Sequence, residues 1–147
     1  MQKLNLPDYK FRTKSEEGKT WIFDAIRKKF VVLTPEEWVR QNFIAYLNEE
    51  KKYPVSLMAV EKQIMVSGKQ RRFDLVVYNR NGQPNLIVEF KAPSVKITQE
   101  AFDQVVRYNM VLKVKNVIVS NGLQHFACEI DYKNNSYRYL QEIPGFG

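Results

Sequence analysis

The chain has 147 residues, 44% hydrophobic and 13% aromatic, enough apolar material for one packed domain and too much for a disordered segment. It carries 23 Lys and Arg against 16 Asp and Glu, a formal charge of +7, which favours a polyanionic partner with nucleic acid first. A single cysteine, Cys128, excludes an internal disulfide and CxxC metal sites, and no apolar run is long enough to span a bilayer.

The opening MQKLNLPDYKFRTK holds no apolar signal region, which with the lone thiol fits a cytoplasmic protein. Residues 1–18 are polar and read as loose. TWIFDAIRKKFVVLT predicts two short strands, 20–24 and 29–33, around a turn at Ala25 to Lys28. The clearest helix start follows. Thr34 is placed as N-cap, Pro35 takes the first helical position and Glu37 the capping-box position. Val39, Phe43, Tyr46 and Leu47 form its apolar stripe, running to about Glu50. LMAVEKQIMV, RRFDLVVYN and NLIVEFKAP then predict three strands, with turns at SGKQ (67–70) and NRNGQP (79–84). TQEAFDQVVRYNMVLK predicts a second helix capped by Thr98, NVIVSNG a buried strand, and FACEIDYKNNSYRYL a closing hairpin. The expected fold is a single α/β domain over 1–147. Its mixed sheet is flanked by helices in the order helix, three antiparallel strands, helix, strand, with strands added at both ends.

Within the apolar stretch LIVEFKAP, Glu89 and Lys91 are two apart and share one strand face, while Val88 and Phe90 share the other. On the preceding strand, Phe73, Leu75 and Val77 are expected on one face and Arg72 with Asp74 on the other. A suitable hairpin register brings Asp74, Glu89 and Lys91 together. Charges inside apolar runs are costly unless used. Two carboxylates suit Mg²⁺, which prefers oxygen ligands, and a neighbouring lysine suits a water or a phosphate. The alternative is a plain ion pair, Glu89 with Lys91 or Asp74 with Arg72.

RRFD, LIVEFKAP, DQVVRYN and VIVSNG together resemble the PD-(D/E)xK nuclease superfamily. Within it, the chain is most similar to the N-terminal nuclease-like domain of the type I restriction enzyme R subunit, in a small stand-alone form. LTPEEWVRQNFIAYL matches that family as well, and the likeness runs from about Phe30 to Gly122. The resemblance implies a restriction-endonuclease-like core and Mg²⁺-dependent hydrolysis of DNA phosphodiesters, with Mn²⁺ able to substitute. Asp74 and Glu89 match the metal-binding acids, Phe90 would offer a backbone carbonyl, and Lys91 matches the catalytic lysine. Gln104 and Tyr108 match a Gln-x-x-x-Tyr motif that supports the site and the nucleic acid, and Arg72 is a further nucleic-acid contact. A glutamate of the first helix joins the metal in many members; Glu37 and, on the neighbouring strand, Glu61 are the rivals for that place. Phe73 stands where the superfamily name implies proline.

His125 is the only histidine and is expected in a surface or packing role, Cys128 as a buried structural thiol; SGKQ lacks the spacing of a phosphate-binding loop. The basic residues recur as RKK (27–29), KK (51–52), KQRR (69–72) and KVK (113–115), the pattern of a folded basic surface. Beside the nuclease stands a second reading, a nucleic-acid-binding or accessory module that keeps the fold without turnover. A larger restriction or repair complex is an implied partner. Cutting both strands of a duplex needs two sites, which makes a homodimer a candidate assembly.

Overall fold

Thr34 caps as its position predicts. In the computed structural model, which describes residues 1–147, its Oγ1 accepts from the Glu37 N–H at 3.0 Å, and α1 runs over Pro35–Glu49. Val39, Phe43 and Leu47 are fully buried along its apolar stripe. Thr98 caps α2 (Gln99–Asn109) in the same way. That helix is shorter than its sequence suggests, because Met110–Leu112 tightens into a 3-10 turn and Lys113 turns left-handed at φ 58.

Nine strands accompany these helices: β1 Thr13–Glu16, β2 Lys19–Asp24, β3 Lys29–Val32, β4 Met58–Val66, β5 Lys69–Tyr78, β6 Pro84–Phe90, β7 Asn116–Ser120, β8 His125–Asp131 and β9 Ser136–Leu140. The first three form one antiparallel sheet; the rest form a six-stranded sheet in the order β4-β5-β6-β7-β8-β9, parallel only between β6 and β7. The crossover between those two strands carries α2. The expected core order therefore holds, with strands added at both ends. The sheet separates two apolar clusters. Leu75, Val77, Leu86, Val88, Phe90 and Ile118 meet α1 on one side, while Val76, Ile87, Val117 and Val119 meet Phe102 and Val106 of α2 on the other. Strands buried on both faces read as near-continuous apolar runs, which is why LIVEF and NVIV carry so little alternation.

Three further features depart from expectation. The segment 1–18 is not loose: it contains β1, and Leu4 is buried with the Asn5 N–H donating to Gly122 O at 2.8 Å. Gly122 sits at φ +85, which favours glycine, and a Cβ there would lie 2.7 Å from Leu4 Cδ2, so Leu4 would have to shift. The β4–β5 turn is only Ser67–Gly68, both at positive φ, leaving Lys69 and Gln70 in the strand. Phe73 does not share a face with Leu75 and Val77; it joins the α2-side cluster, its ring 5.9 Å from Tyr108. Alternation thus breaks at Asp74, opposite Glu61, which adopts φ +52 in the middle of β4. No helix is long and apolar enough to cross a membrane.

Candidate active site

The β5–β6 ladder ends at the pair Leu75↔Val88. Continued by one residue, that register sets Asp74 opposite Glu89. The backbones part there: the Phe90 N–H donates to the Asp74 carboxylate, Oδ2, at 2.8 Å. β6 meanwhile stays paired with β7 as far as Phe90↔Ser120, and the Lys91 N–H donates to Ser120 O at 2.9 Å. The split between β5 and β6 is where Asp74, Glu89 and Lys91 gather, held on one side by a strand buried on both faces.

The electrostatics of the split are those of two neighbouring carboxyls, one of them largely buried. Burial, then repulsion from Asp74, pushes the Glu89 carboxyl up to about 7, against the pull of Lys91. Lys91 Nζ stands 4.0 Å from Glu89 Oε1 with its side chain 37% exposed, so the lysine head reaches both the acid and solvent. A third carboxylate approaches from α1. Glu36, an exposed residue at the start of α1, is raised by partial desolvation and then by Asp74, and it adds to the repulsion on Glu89. Sequence reasoning passed over Glu36 in favour of its neighbour. The signal was the helix face: Glu36, Arg40 and Phe43 follow at i, i+4 and i+7, and the Phe43 ring packs 5.8 Å from Phe90.

Glu37 and Glu61 are placed differently. Glu37 is 6% exposed, and both of its oxygens are engaged, Oε1 by Arg27 Nη2 and Oε2 by Gln41 Nε2, each at 2.9 Å. Glu61 Oε2 takes Arg72 Nη2 at 2.7 Å, and Glu61 Oε1 lies 3.4 Å from Arg40 Nη2. Arg27, in the β2–β3 turn, also binds the buried Asp24 at 2.5 Å, and Arg40 Nε sits 3.3 Å from Glu37 Oε2 without hydrogen-bond alignment. The result is one ion network tying the small sheet, α1 and β4. Arg40 Nη1 reaches on to the Asp74 carbonyl at 3.5 Å, the edge of hydrogen bonding. Breaking such buried pairs costs several kcal/mol, so the network reads as support beneath the site.

Gln104 and Tyr108 lie exposed at i and i+4 on α2. Tyr108 touches Phe73, and the Arg71 guanidinium stacks 4.6 Å from its ring centroid. Arg72 is 60% exposed by its side chain while paired to Glu61. His125 packs, as expected: its Nε2–H donates to Asn5 O at 2.9 Å, which leaves Nδ1 to accept from the Ser120 hydroxyl at 2.7 Å. Burial pushes the Cys128 thiol up to about 11, leaving it unreactive.

No three acidic, histidine or cysteine groups lie close enough to grip an ion by themselves. The donor set nevertheless fits a hard divalent cation. Asp74 and Glu89 are oxygen donors whose mutual repulsion calls for a positive charge, and Mg²⁺ needs only one or two carboxylates besides water and phosphate. A groove lined by Lys51, Tyr53, Asn116, Glu129 and residues 141–145 lies elsewhere and holds none of these residues.

Comparison with known proteins finds a family-model match to the N terminus of type I restriction enzyme R proteins over residues 35–144, well over half of the chain. Among solved structures, a fragment assigned as the HsdR subunit of a type I restriction enzyme from Vibrio vulnificus YJ016 superposes with a TM-score of 0.55 at 21% identity. The alignment covers 77% of this chain and 24% of that one. This likeness is one of fold, and the chain spans about a quarter of that protein's length. Comparison with curated proteins gave no match.

Proposed function

Since the chain belongs to the type I restriction enzyme R protein N-terminal family, we propose that it is a divalent-metal-dependent deoxyribonuclease domain. The observation that carries this reading is the split at β5–β6, where the Asp74 carboxylate, the largely buried Glu89 carboxyl and a lysine are held at the end of a buried strand. Asp74 and Glu89 would hold Mg²⁺, for which Mn²⁺ would substitute, with the Phe90 carbonyl as a further oxygen. Such an ion, when bound, polarises a phosphodiester and acidifies a water. Lys91 would orient the attacking water or stabilise charge gathering on the phosphate oxygens. Glu36 would be the further carboxylate to join them, a reading supported by its repulsion with Asp74 and by the engagement of Glu37 and of Glu61, on β4, by arginines. Gln104, Tyr108 and the exposed arginines supply contacts for the DNA backbone.

The test is nicking of supercoiled plasmid, and cleavage of single-stranded DNA, in Mg²⁺ or Mn²⁺, with EDTA and Lys91→Ala as controls. Activity abolished by both supports the assignment; activity that survives Lys91→Ala refutes it. A second reading, an accessory module that awaits a larger restriction complex, is favoured by the chain spanning 24% of its solved relative. Folded protein that binds DNA with salt-dependent affinity but never nicks it would select that reading.

A further inference from the structure

Past Asp74, the hairpin carries a pattern that the carboxylate site does not use. Residues 62–66 of β4 and 69–73 of β5 pair as a two-stranded ribbon, from Lys62↔Phe73 to Val66↔Lys69, beyond the point where β6 leaves β5. One face of this ribbon leans on α2 through Ile64 and Arg71. The other face, Gln63↔Arg72 and Met65↔Gln70, is exposed throughout. Between Glu61 and Asp74 there are four basic residues and no acid. Met65 keeps 64% of its surface in water.

A lysine on an edge strand is explained by protection against edge-to-edge pairing, but an exposed methionine between two glutamines works against that purpose. Its chemistry matches a nucleic-acid groove, where amides meet base edges and apolar side chains meet the stack. The dimensions agree. From Asp74 to the turn the strand reaches about 20 Å at roughly 3.4 Å per residue. That reach equals about six base pairs at ~3.4 Å per step. A two-stranded ribbon fits the major groove, about 12 Å wide, and not the minor groove, about 6 Å wide.

We propose that the β4–β5 ribbon engages duplex DNA by lying in the major groove, with Gln63, Met65 and Gln70 towards the base edges and the exposed Lys62 and Lys69, which alternate onto the Ile64 face, reaching past the ribbon's edges to flanking phosphates. The proposal rests on the reading of Asp74, Glu89 and Lys91 as a DNA-hydrolysing site and says how the duplex is presented to it.

The experiment measures affinity of the full chain for a short random-sequence duplex in EDTA across a salt series, with dimethyl sulfate protection of the same complex. Lys62→Ala/Lys69→Ala should flatten the slope of log K against log salt by about 2, from a loss of ~0.9 per phosphate contact. Guanine N7 should be protected by wild type and exposed again in Gln63→Ala/Met65→Ala/Gln70→Ala, with unchanged thermal melts for both variants. Variant slopes equal to wild type overturn the proposal and leave the hydrolase reading standing, as does protection at adenine N3, on the minor-groove side. Wild type that neither binds nor nicks the duplex removes both.

Discussion

Replacing Glu89 with glutamine is expected to stabilise the metal-free protein at alkaline pH while destroying its activity. In the wild type the Glu89 carboxyl rises from 4.5 to about 7, first through burial and then through Asp74. An acid whose folded pKa exceeds its unfolded one holds its proton more tightly in the native state. Its contribution to stability is whole below the unfolded value, declines as pH rises between the two, and is lost above the folded value. That interval corresponds to roughly 3 kcal/mol at about 1.4 kcal/mol per pH unit. The side chain is 26% exposed, so solvent relaxation brings the expected gain of Glu89→Gln to roughly 2 kcal/mol at about pH 8. At about pH 4.5 the wild-type carboxyl is largely neutral and the gain should vanish. Urea unfolding in EDTA at the two pH values measures both. A gain of equal size at each pH would show that the charge is not its source, and no gain at alkaline pH would show that Glu89 ionises there without penalty.

Lys91→Ala should abolish nicking yet shift unfolding by less than about 1 kcal/mol, since its pair with Glu89 is long and partly solvated; a large destabilisation would make the lysine structural. Arg27→Ala leaves Asp24 buried without its cation and Glu37 with only the Arg40 guanidinium at 3.3 Å, and should cost about 3 kcal/mol or more in urea. A loss within experimental error would mean that the network carries no weight. Asp24 itself, though burial opposes its charge, is held below its ordinary value by the Arg27 side chain and by the Arg27 and Ile26 N–H groups. That stabilisation is present above the unfolded pKa and lost as pH falls through the folded one. Asp24→Asn should therefore flatten the acid limb of a stability profile below about pH 4. Gly122→Ala should destabilise by more than about 1 kcal/mol, because its φ of +85 and the approach of Leu4 both resist a Cβ; a neutral melt would show that the N-terminal segment yields freely.

The helices were legible because their caps are local. Thr34 with Pro35, and Thr98 three residues before Ala101, declare where the backbone donors go. The three central strands were legible as apolar runs, and the acid–lysine pair stood out against them. β1 was not, because TKSE is exposed at every position and shows no alternation. Nor was the change of face at Phe73. It depends on Glu61 adopting a left-handed backbone opposite Asp74, a conformation that nothing in AVEKQI announces. The choice between Glu36 and Glu37 turns on which of two adjacent acids meets Arg27, a residue ten positions upstream in the β2–β3 turn. Local pattern cannot see that contact.

The bond from the Phe90 N–H to the Asp74 carboxylate makes one backbone amide sensitive to whatever the carboxylate does. A cation that draws electron density from Asp74 weakens that bond, and the Phe90 proton then resonates upfield and exchanges faster with solvent. In an isotope-labelled sample this single resonance would follow ion occupancy directly, with no substrate, dye or turnover required.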